Sequence, residues 1–250
     1  MNDTARMNKL AWEYRAYDFW VRQNGAPEEM AARIAADPAG SLKRYAAYLG
    51  DVRGQRVANI CGSCGKKALA IALLGAEVTV FDISGENRRY AMEAAQAANT
   101  RLDYQVRDVM ALDSAWDGQF DTLFMEGGVL HYFHDLPAFM AVMHRLLRPG
   151  GRMICSDFHP LTKVIDALHL EQPARSYFDD APFEGEMAHA RFYAGEERAA
   201  FPQCSYRKHT LSDIINGAVG AGFALQRFDE HPSWADPALP GEFTMIAIKA

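Results

Sequence analysis

Two kinds of residue in this chain have the types and spacing to do chemistry. The first is a set of small and acidic residues recurring at the ends of β-rich runs: the turn Cys61-Gly62-Ser63-Cys64-Gly65, then Asp82-Ile83, Asp108-Val109 and Glu126. Gly62 and Gly65 remove side chains where a ligand would approach the backbone, and free N–H groups opening the helix that follows suit a carboxylate or phosphate. Asp82 is placed to accept two hydrogen bonds from a ribose diol, and Asp108 could accept one from an adenine amine. Three acids on one edge, counting Glu126, predict a nucleoside pocket. The second set is His131-Tyr132-Phe133-His134 and Asp157-Phe158-His159-Pro160. A neutral imidazole can take a proton near pH 7, so His131 and then His159 are the expected general bases, with Asp157 orienting an imidazole or receiving a substrate amine.

Other chemistries fit the same residues less well. The dinucleotide pattern G-x-G-x-x-G and the phosphate loop G-x-x-x-x-G-K-[ST] are both missing, which weakens nicotinamide cofactors and nucleoside triphosphates. Cys61 and Cys64 at a strand-to-helix junction could form a redox dithiol, because a helix N-terminus lowers a thiol pKa. A divalent ion on His131, His134, Asp157 and His159 is a further alternative, although imidazole is a poor ligand for magnesium. The expectation is therefore no metal.

The elements that must position these groups alternate along the chain. β-rich runs at 57–60, 77–82, 102–106, 120–125 and 152–156 are separated by helical stretches at 68–74, 84–98 and from Asp135 to Pro149-Gly150-Gly151. Such alternation predicts an α/β fold, a doubly wound parallel sheet. Thr210 and Asp213 have capping-box spacing before a helix closed by Gly220 and Gly222, and runs at 223–228 and 243–248 could pair as a hairpin. Residues 1–50 read as a helical cover, 51–160 as the core, 161–208 as an inserted aromatic lid, and 209–250 as the part completing the sheet.

Composition narrows the partners. With 26 basic and 32 acidic side chains the net charge is −6, so no cationic surplus is available for a phosphate backbone, and nucleic acid is not expected. The longest apolar stretch, Ala68 to Ala76, is well short of the roughly 20 residues that span a bilayer. The chain is expected to be cytoplasmic, without a membrane partner, and a monomer or homodimer. Four cysteines in 250 residues do not make a disulfide framework.

The stretch Val57 to Gly65, the strand ending in Asp82-Ile83-Ser84, Asp108-Val109, Phe120-Asp121 through Glu126, and Leu146-Leu147-Arg148-Pro149-Gly150-Gly151 together resemble the class I S-adenosylmethionine-dependent methyltransferases, in their small-molecule branch. The resemblance spans about residues 50–160. It implies a Rossmann-like, seven-stranded sheet whose last strand is antiparallel. It also implies S-adenosylmethionine (SAM) as cofactor and S-adenosylhomocysteine (SAH) as product, with methionine over Cys61, Gly62, Ser63 and Gly65, ribose on Asp82, adenine near Ile83, Asp108 and Val109, and the sulfonium near Glu126. Cys61 and Ser63 stand where that family commonly has glycine, and Asn59 where it commonly has an acid. Lys66 or Lys67 could supplement the helix N-terminus for the methionine carboxylate. The expected reaction is in-line methyl transfer to an O, N, S or C atom of a small metabolite held under the lid. Trp12, Tyr14, Tyr17 and Trp20 lie at helical spacing and would pack in that cover or face the sulfonium. A nucleoside-binding sensor or inactive partner without turnover is the alternative, followed by an NAD(P)-dependent oxidoreductase.

Overall fold

A computed structural model describes residues 1–162, 164 and 176–250. Five helices come first: α1 (Asp3–Glu13), α2 (Ala16–Asn24), α3 (Pro27–Ala36), α4 (Pro38–Leu42) and α5 (Tyr45–Leu49). The alternating part runs β1 (Arg56–Ile60), α6 (Lys66–Leu73), β2 (Glu77–Asp82), α7 (Gly85–Ala97), β3 (Asp103–Val106), β4 (Phe120–Glu126), α8 (Leu136–Leu146) and β5 (Leu147–Phe158). A small hairpin, β6 (Phe183–Glu186) and β7 (Gln203–Tyr206), flanks α9 (Gly195–Ala199). α10 (Leu211–Gly220), β8 (Phe223–Pro232) and β9 (Pro240–Lys249) complete the chain.

Seven strands form one sheet in the order β3-β2-β1-β4-β5-β9-β8. β1 to β5 are parallel, β9 runs antiparallel to β5, and β8 runs antiparallel to β9. The Rossmann-like sheet with an antiparallel last strand is thus present. Central strands read as unbroken apolar runs because helices cover both faces: four of the five β1 residues are buried, and five of the six in β2. One face buries Met30, Leu69, Ile71, Tyr90 and Phe124 under α3, α6 and α7, and the other buries Phe120, Phe139, Met143 and Ile214 under α8 and α10. A third cluster joins α1 and α2 to the segment after β5 through Ala11, Phe19, Met187, Tyr193 and Phe201.

Local signals set the ends of the site-bearing helices. Ser84 Oγ accepts from Asn87 N at 3.1 Å and Asp135 from Ala138 N at 2.9 Å, each satisfying a free helix donor. Thr210 and Asp213 form the expected reciprocal capping box. β5, β8 and β9 run longer than the expected 152–156, 223–228 and 243–248, and the largest difference is at Pro149-Gly150-Gly151. α8 stops at Leu146, and Leu147 already pairs with Phe120, the register then shifting so that Arg152 pairs with Thr122. The turn therefore bulges out of β5 rather than ending the helix. Strand order reverses between β1 and β4, so the crevice expected of a doubly wound sheet opens where these strands end, beside Cys61 and Glu126.

Candidate active site

The turn after β1 is built by backbone geometry. Cys61 and Ser63 both take positive φ, 51° in each case, a left-handed conformation that costs a residue with a Cβ about 1–2 kcal/mol. Gly62 is required by space, since a Cβ there would lie 2.5 Å from Asn59 Oδ1 and 2.7 Å from Val80 Cγ1. Gly65 is required twice over: its φ is 73°, and a Cβ would meet that of Ala91 on α7 at 2.7 Å. Close packing of α6 on α7 fixes where the turn sits. Asp82 anchors it from below, accepting from Ser63 N at 2.9 Å through Oδ2 and from Ser84 N at 2.9 Å and Asn87 Nδ2 at 3.2 Å through Oδ1. Burial of Asp82 raises its pKa above the ordinary carboxylate value, and these three donors oppose the rise.

Two cavities open at this edge. The first, about 280 Å³, is walled by Asp82, Ile83, Asp108 and Val109 on the sheet side and by residues 126–129 and 132–135 after β4, while Asn2, Thr4, Ala5, Asn8 and Trp12 of the N-terminal segment face it. The second, about 220 Å³, is walled by Trp20, Asn24, Asn59, Gly62, Cys64, Lys66 and Lys67. Cys61 and Glu126 belong to both walls. Asn59 Nδ2 donates to Phe124 O at 3.2 Å, whereas its Oδ1, buried, has no donor. Lys67 Nζ donates to Ser41 O at 2.8 Å, and burial lowers its pKa. Burial raises the pKa of Glu126, opposed first by Lys67 and then by a hydrogen bond with Tyr45.

α1 lies across the first cavity and is tied down on two sides. Lys9 Nζ donates to Ile83 O at 3.2 Å, and Glu13 Oε2 accepts from Gly85 N at 2.8 Å. Asn8, buried, pairs with both backbone groups of Ser205 on β7, at 2.8 and 3.2 Å. His189 is packed between Trp12 and Trp20, whose rings stand at 4.9 and 5.0 Å, and stacks on Phe19 at 3.6 Å. These contacts join the N-terminal helices to the described part of segment 161–208; residues 163 and 165–175 of that segment lie outside the described residues.

Of the residues that the sequence marks, Cys61, Asp82, Ile83, Asp108, Val109 and Glu126 converge on the first cavity, and Gly62 on the second. Ser63 and Gly65 stand behind them, Ser63 through its N–H on Asp82 and Gly65 through helix packing. The structure does not bring His131, His159 and Asp157 to either wall. His131 falls in a short 3-10 turn, Leu130–Tyr132, with its ring 4.3 Å from Tyr132 and 5.2 Å from Tyr206. His159 is buried, with Nδ1 accepting from Leu161 N at 3.1 Å and Nε2 3.1 Å from Glu230 Oε1. Asp157 Oδ2 accepts from Val129 N and Leu130 N, both at 2.8 Å, and so holds the loop after Glu126 in place. The histidine of that loop on the wall is His134, whose Nε2 is 3.2 Å from Ser205 Oγ. A three-residue turn decides which imidazole faces the crevice, and sequence spacing does not encode its rotation.

The alternatives from the same residues meet physical obstacles. Burial pushes the Cys61 thiol well up and that of Cys64 to about 12, the reverse of what a reactive dithiol needs, and both are free. Among the described residues no group of three or more His, Cys, Asp or Glu side chains could hold a metal ion, and no helix is long and apolar enough to cross a membrane. Residues missed from sequence are Asn2, Thr4, Ala5 and Asn8, which precede any chemical motif; His134 stands in the marked histidine cluster, where His131 is the expected base.

Comparison with known proteins agrees with this geometry. Residues 60–155 match the family model described as a methyltransferase domain. The chain is 33% identical over 111 residues to a ubiquinone biosynthesis O-methyltransferase of Xanthomonas oryzae pv. oryzae, a match covering 44% of this chain and 45% of that protein. It is 30% identical over 117 residues to a ubiquinone/menaquinone biosynthesis C-methyltransferase of Rubrivivax gelatinosus, covering 46% and 44%. The matches thus span less than half the length of these curated relatives. Among solved structures, magnesium protoporphyrin IX methyltransferase from Synechocystis PCC 6803 with bound SAH aligns over 99% of this chain and 100% of its own, at a TM-score of 0.64 and 18% identity. An S-adenosylmethionine dependent methyltransferase from Mesorhizobium loti aligns over 81% and 94%, at 0.62 and 22%.

Proposed function

We propose that this chain, whose residues 60–155 match the methyltransferase domain model, binds SAM and transfers its methyl group to an O, N, S or C atom of a small molecule. The observation that carries the reading is the pair of cavities meeting at Cys61 and Glu126 on the carboxyl edge of the sheet. The first has acids where an adenosine presents hydroxyls and an amine. The second has the two groups an amino acid zwitterion needs: a buried acceptor without a donor, Asn59 Oδ1, for the ammonium, and Lys66 and Lys67 for the carboxylate. The bound cofactor supplies an electrophilic methyl on a sulfonium.

What the protein adds is placement and exclusion of water. Asp82 sets both the turn after β1 and the opening of α7, so one carboxylate fixes the two walls that a nucleoside touches. Asp157 fixes the backbone after Glu126, against which an acceptor would be held at near-attack distance, roughly 3 to 3.5 Å. α1 and the β6–β7 hairpin close over this edge, which suits a small acceptor better than a polymer. Asp157 acts in this reading as a positioning residue, while His159, bonded to Leu161 and facing Glu230, has no part in the site. His134, whose pKa is lowered first by burial and then by Arg207, offers a neutral imidazole on the wall of the first cavity.

Calorimetry with SAM and SAH, followed by methyl-labelled SAM on a panel of small alcohols, phenols, amines, thiols and activated carbon acids, tests this. Binding of both ligands with label appearing in one acceptor class is the expected result. No binding overturns the reading, and binding without transfer to any class removes the transferase part.

A further inference from the structure

The junction of the two cavities carries a charge that the proposed function does not use. In SAM the sulfonium is the atom joining the nucleoside to the methionine chain, so if each half fills one cavity, the sulfonium lies where the cavities meet. This step rests on the cofactor reading above. Two side chains belong to both walls there, Cys61 and Glu126. The Cys61 thiol, pushed well above its ordinary pKa by desolvation, stays protonated and uncharged. Glu126, the last residue of β4, is acidic and half-buried. The groups facing it are Lys67 from α6, Tyr45 from α5, Arg44 just before that helix, and Glu242 from β9. Lys67 and Arg44 have partners of their own, the Ser41 carbonyl and the Glu242 carboxylate.

We propose that the Glu126 carboxylate is the countercharge of the cofactor's sulfonium and makes the site discriminate SAM from SAH. The two ligands share every other group, so an interaction with the sulfonium is the term by which their affinities can differ electrostatically. A carboxylate at a poorly hydrated junction acts on a cation far more strongly than it would in water. Methyl transfer removes the ligand's positive charge and leaves Glu126 facing a neutral thioether, so the product is held less tightly than the substrate and exchanges for fresh SAM. The pairing also supplies a pH dependence with a defined sign. Burial raises the Glu126 pKa; as pH falls through that raised value the carboxylate is neutralised, and the preference for SAM fades. Titration of the cofactor's own amino and carboxyl groups is common to both ligands and cancels in the ratio of their affinities.

The test is calorimetric titration of the full chain with SAM and SAH between pH 5 and 8.5, for the wild type and for Glu126→Gln, which keeps shape and removes charge. The expected result is a SAH-to-SAM Kd ratio that falls about tenfold in the variant, with SAH affinity changed less than threefold, and that declines with falling pH in the wild type only. A ratio unchanged by Glu126→Gln while both ligands bind overturns the proposal. So does an equal loss of SAM and SAH, which would place Glu126 on the shared ammonium. If that variant does not fold, Glu126→Asp, which keeps the charge, and Glu126→Ala, which removes it, decide: an equal SAH-to-SAM ratio in the two refutes the countercharge. Failure of the wild type to bind either ligand is a different result, refuting the cofactor reading itself.

Discussion

Replacing Asp82 by Asn tests the nucleoside site at its most constrained group. A carboxylate offers about four lone-pair positions, and the protein already occupies three: Ser84 N and Asn87 Nδ2 on Oδ1, and Ser63 N on Oδ2. One position remains, on Oδ2, so a ribose can give Asp82 one hydrogen bond and not the pair that the sequence position suggests. A hydrogen bond to a charged group is worth about 1.5–3 kcal/mol, which is roughly a tenfold to 150-fold change in Kd. Asn in place of Asp82 also sets an amide N–H₂ against donors, loosening either the turn at Ser63 or the cap at Ser84, so the upper half of that range is expected. The assay is calorimetric titration with SAH, whose neutral sulfur keeps Glu126 out of the comparison, together with its 2′-deoxy and 3′-deoxy analogues. The wild type should lose affinity for one analogue only, and Asp82→Asn should bind SAH at least about thirtyfold more weakly, about 2 kcal/mol. A loss below threefold, in a variant whose melting temperature is preserved, would refute the reasoning.

Two further outcomes concern stability. Ser63→Gly should raise the unfolding free energy by about 1 kcal/mol in urea titrations, because it relieves a left-handed backbone and removes a buried hydroxyl without a partner, less the flexibility that glycine adds to the unfolded chain; a lower midpoint would show that the hydroxyl is engaged. Burial lowers the His189 pKa to about 3, so between that value and the ordinary 6.5 the unfolded chain binds the extra proton and stability falls as pH falls. From pH 7 to 5 this one residue should cost about 2 kcal/mol, and His189→Phe, which suits a ring stacked on Phe19, should lose correspondingly less; equal losses in the two proteins would contradict the assignment.

The seven-stranded sheet was legible because parallel strands buried on both faces are short apolar runs, and the caps at Ser84, Asp135 and Thr210 are side-chain chemistry that spacing reveals; the β6–β7 hairpin was not, because strands of four residues are too short to set a period. The acids on the first cavity wall were legible too: Asp82, Asp108 and Glu126 each stand at or just beyond a strand's carboxyl end, so the sheet itself gathers them. The histidines were not. His131 and His134 differ by three positions in a 3-10 turn and the coil after it, where no periodicity fixes which ring faces inward. The sequence points Asp157 at an imidazole or a substrate amine because it follows an apolar run, yet a buried carboxylate beside two free N–H groups is most cheaply satisfied by them. The roof residues Asn2, Thr4, Ala5 and Asn8 depend on where α1 docks, a tertiary fact that no local pattern carries.

How α1 docks has a consequence for the order of events at the site. Lys9 and Glu13 bind backbone groups of Ile83 and Gly85, beside the nucleoside wall, while Asn8, adjacent to Lys9 in sequence, binds the backbone of Ser205 on the β6–β7 hairpin. The same helix therefore reads both the cofactor edge and the insertion. His189 repeats the arrangement with aromatic contacts, since Trp12 belongs to the first cavity wall and Trp20 to the second. Displacing α1 would break its bonds to Ser205 together with those to Ile83 and Gly85. One helix thus carries the contacts to both the nucleoside wall and the hairpin, so a ligand that strengthens one set favours the other. An acceptor enclosed in this way meets the methyl donor out of water, the condition under which an uncharged nucleophile and a sulfonium need little beyond alignment to react.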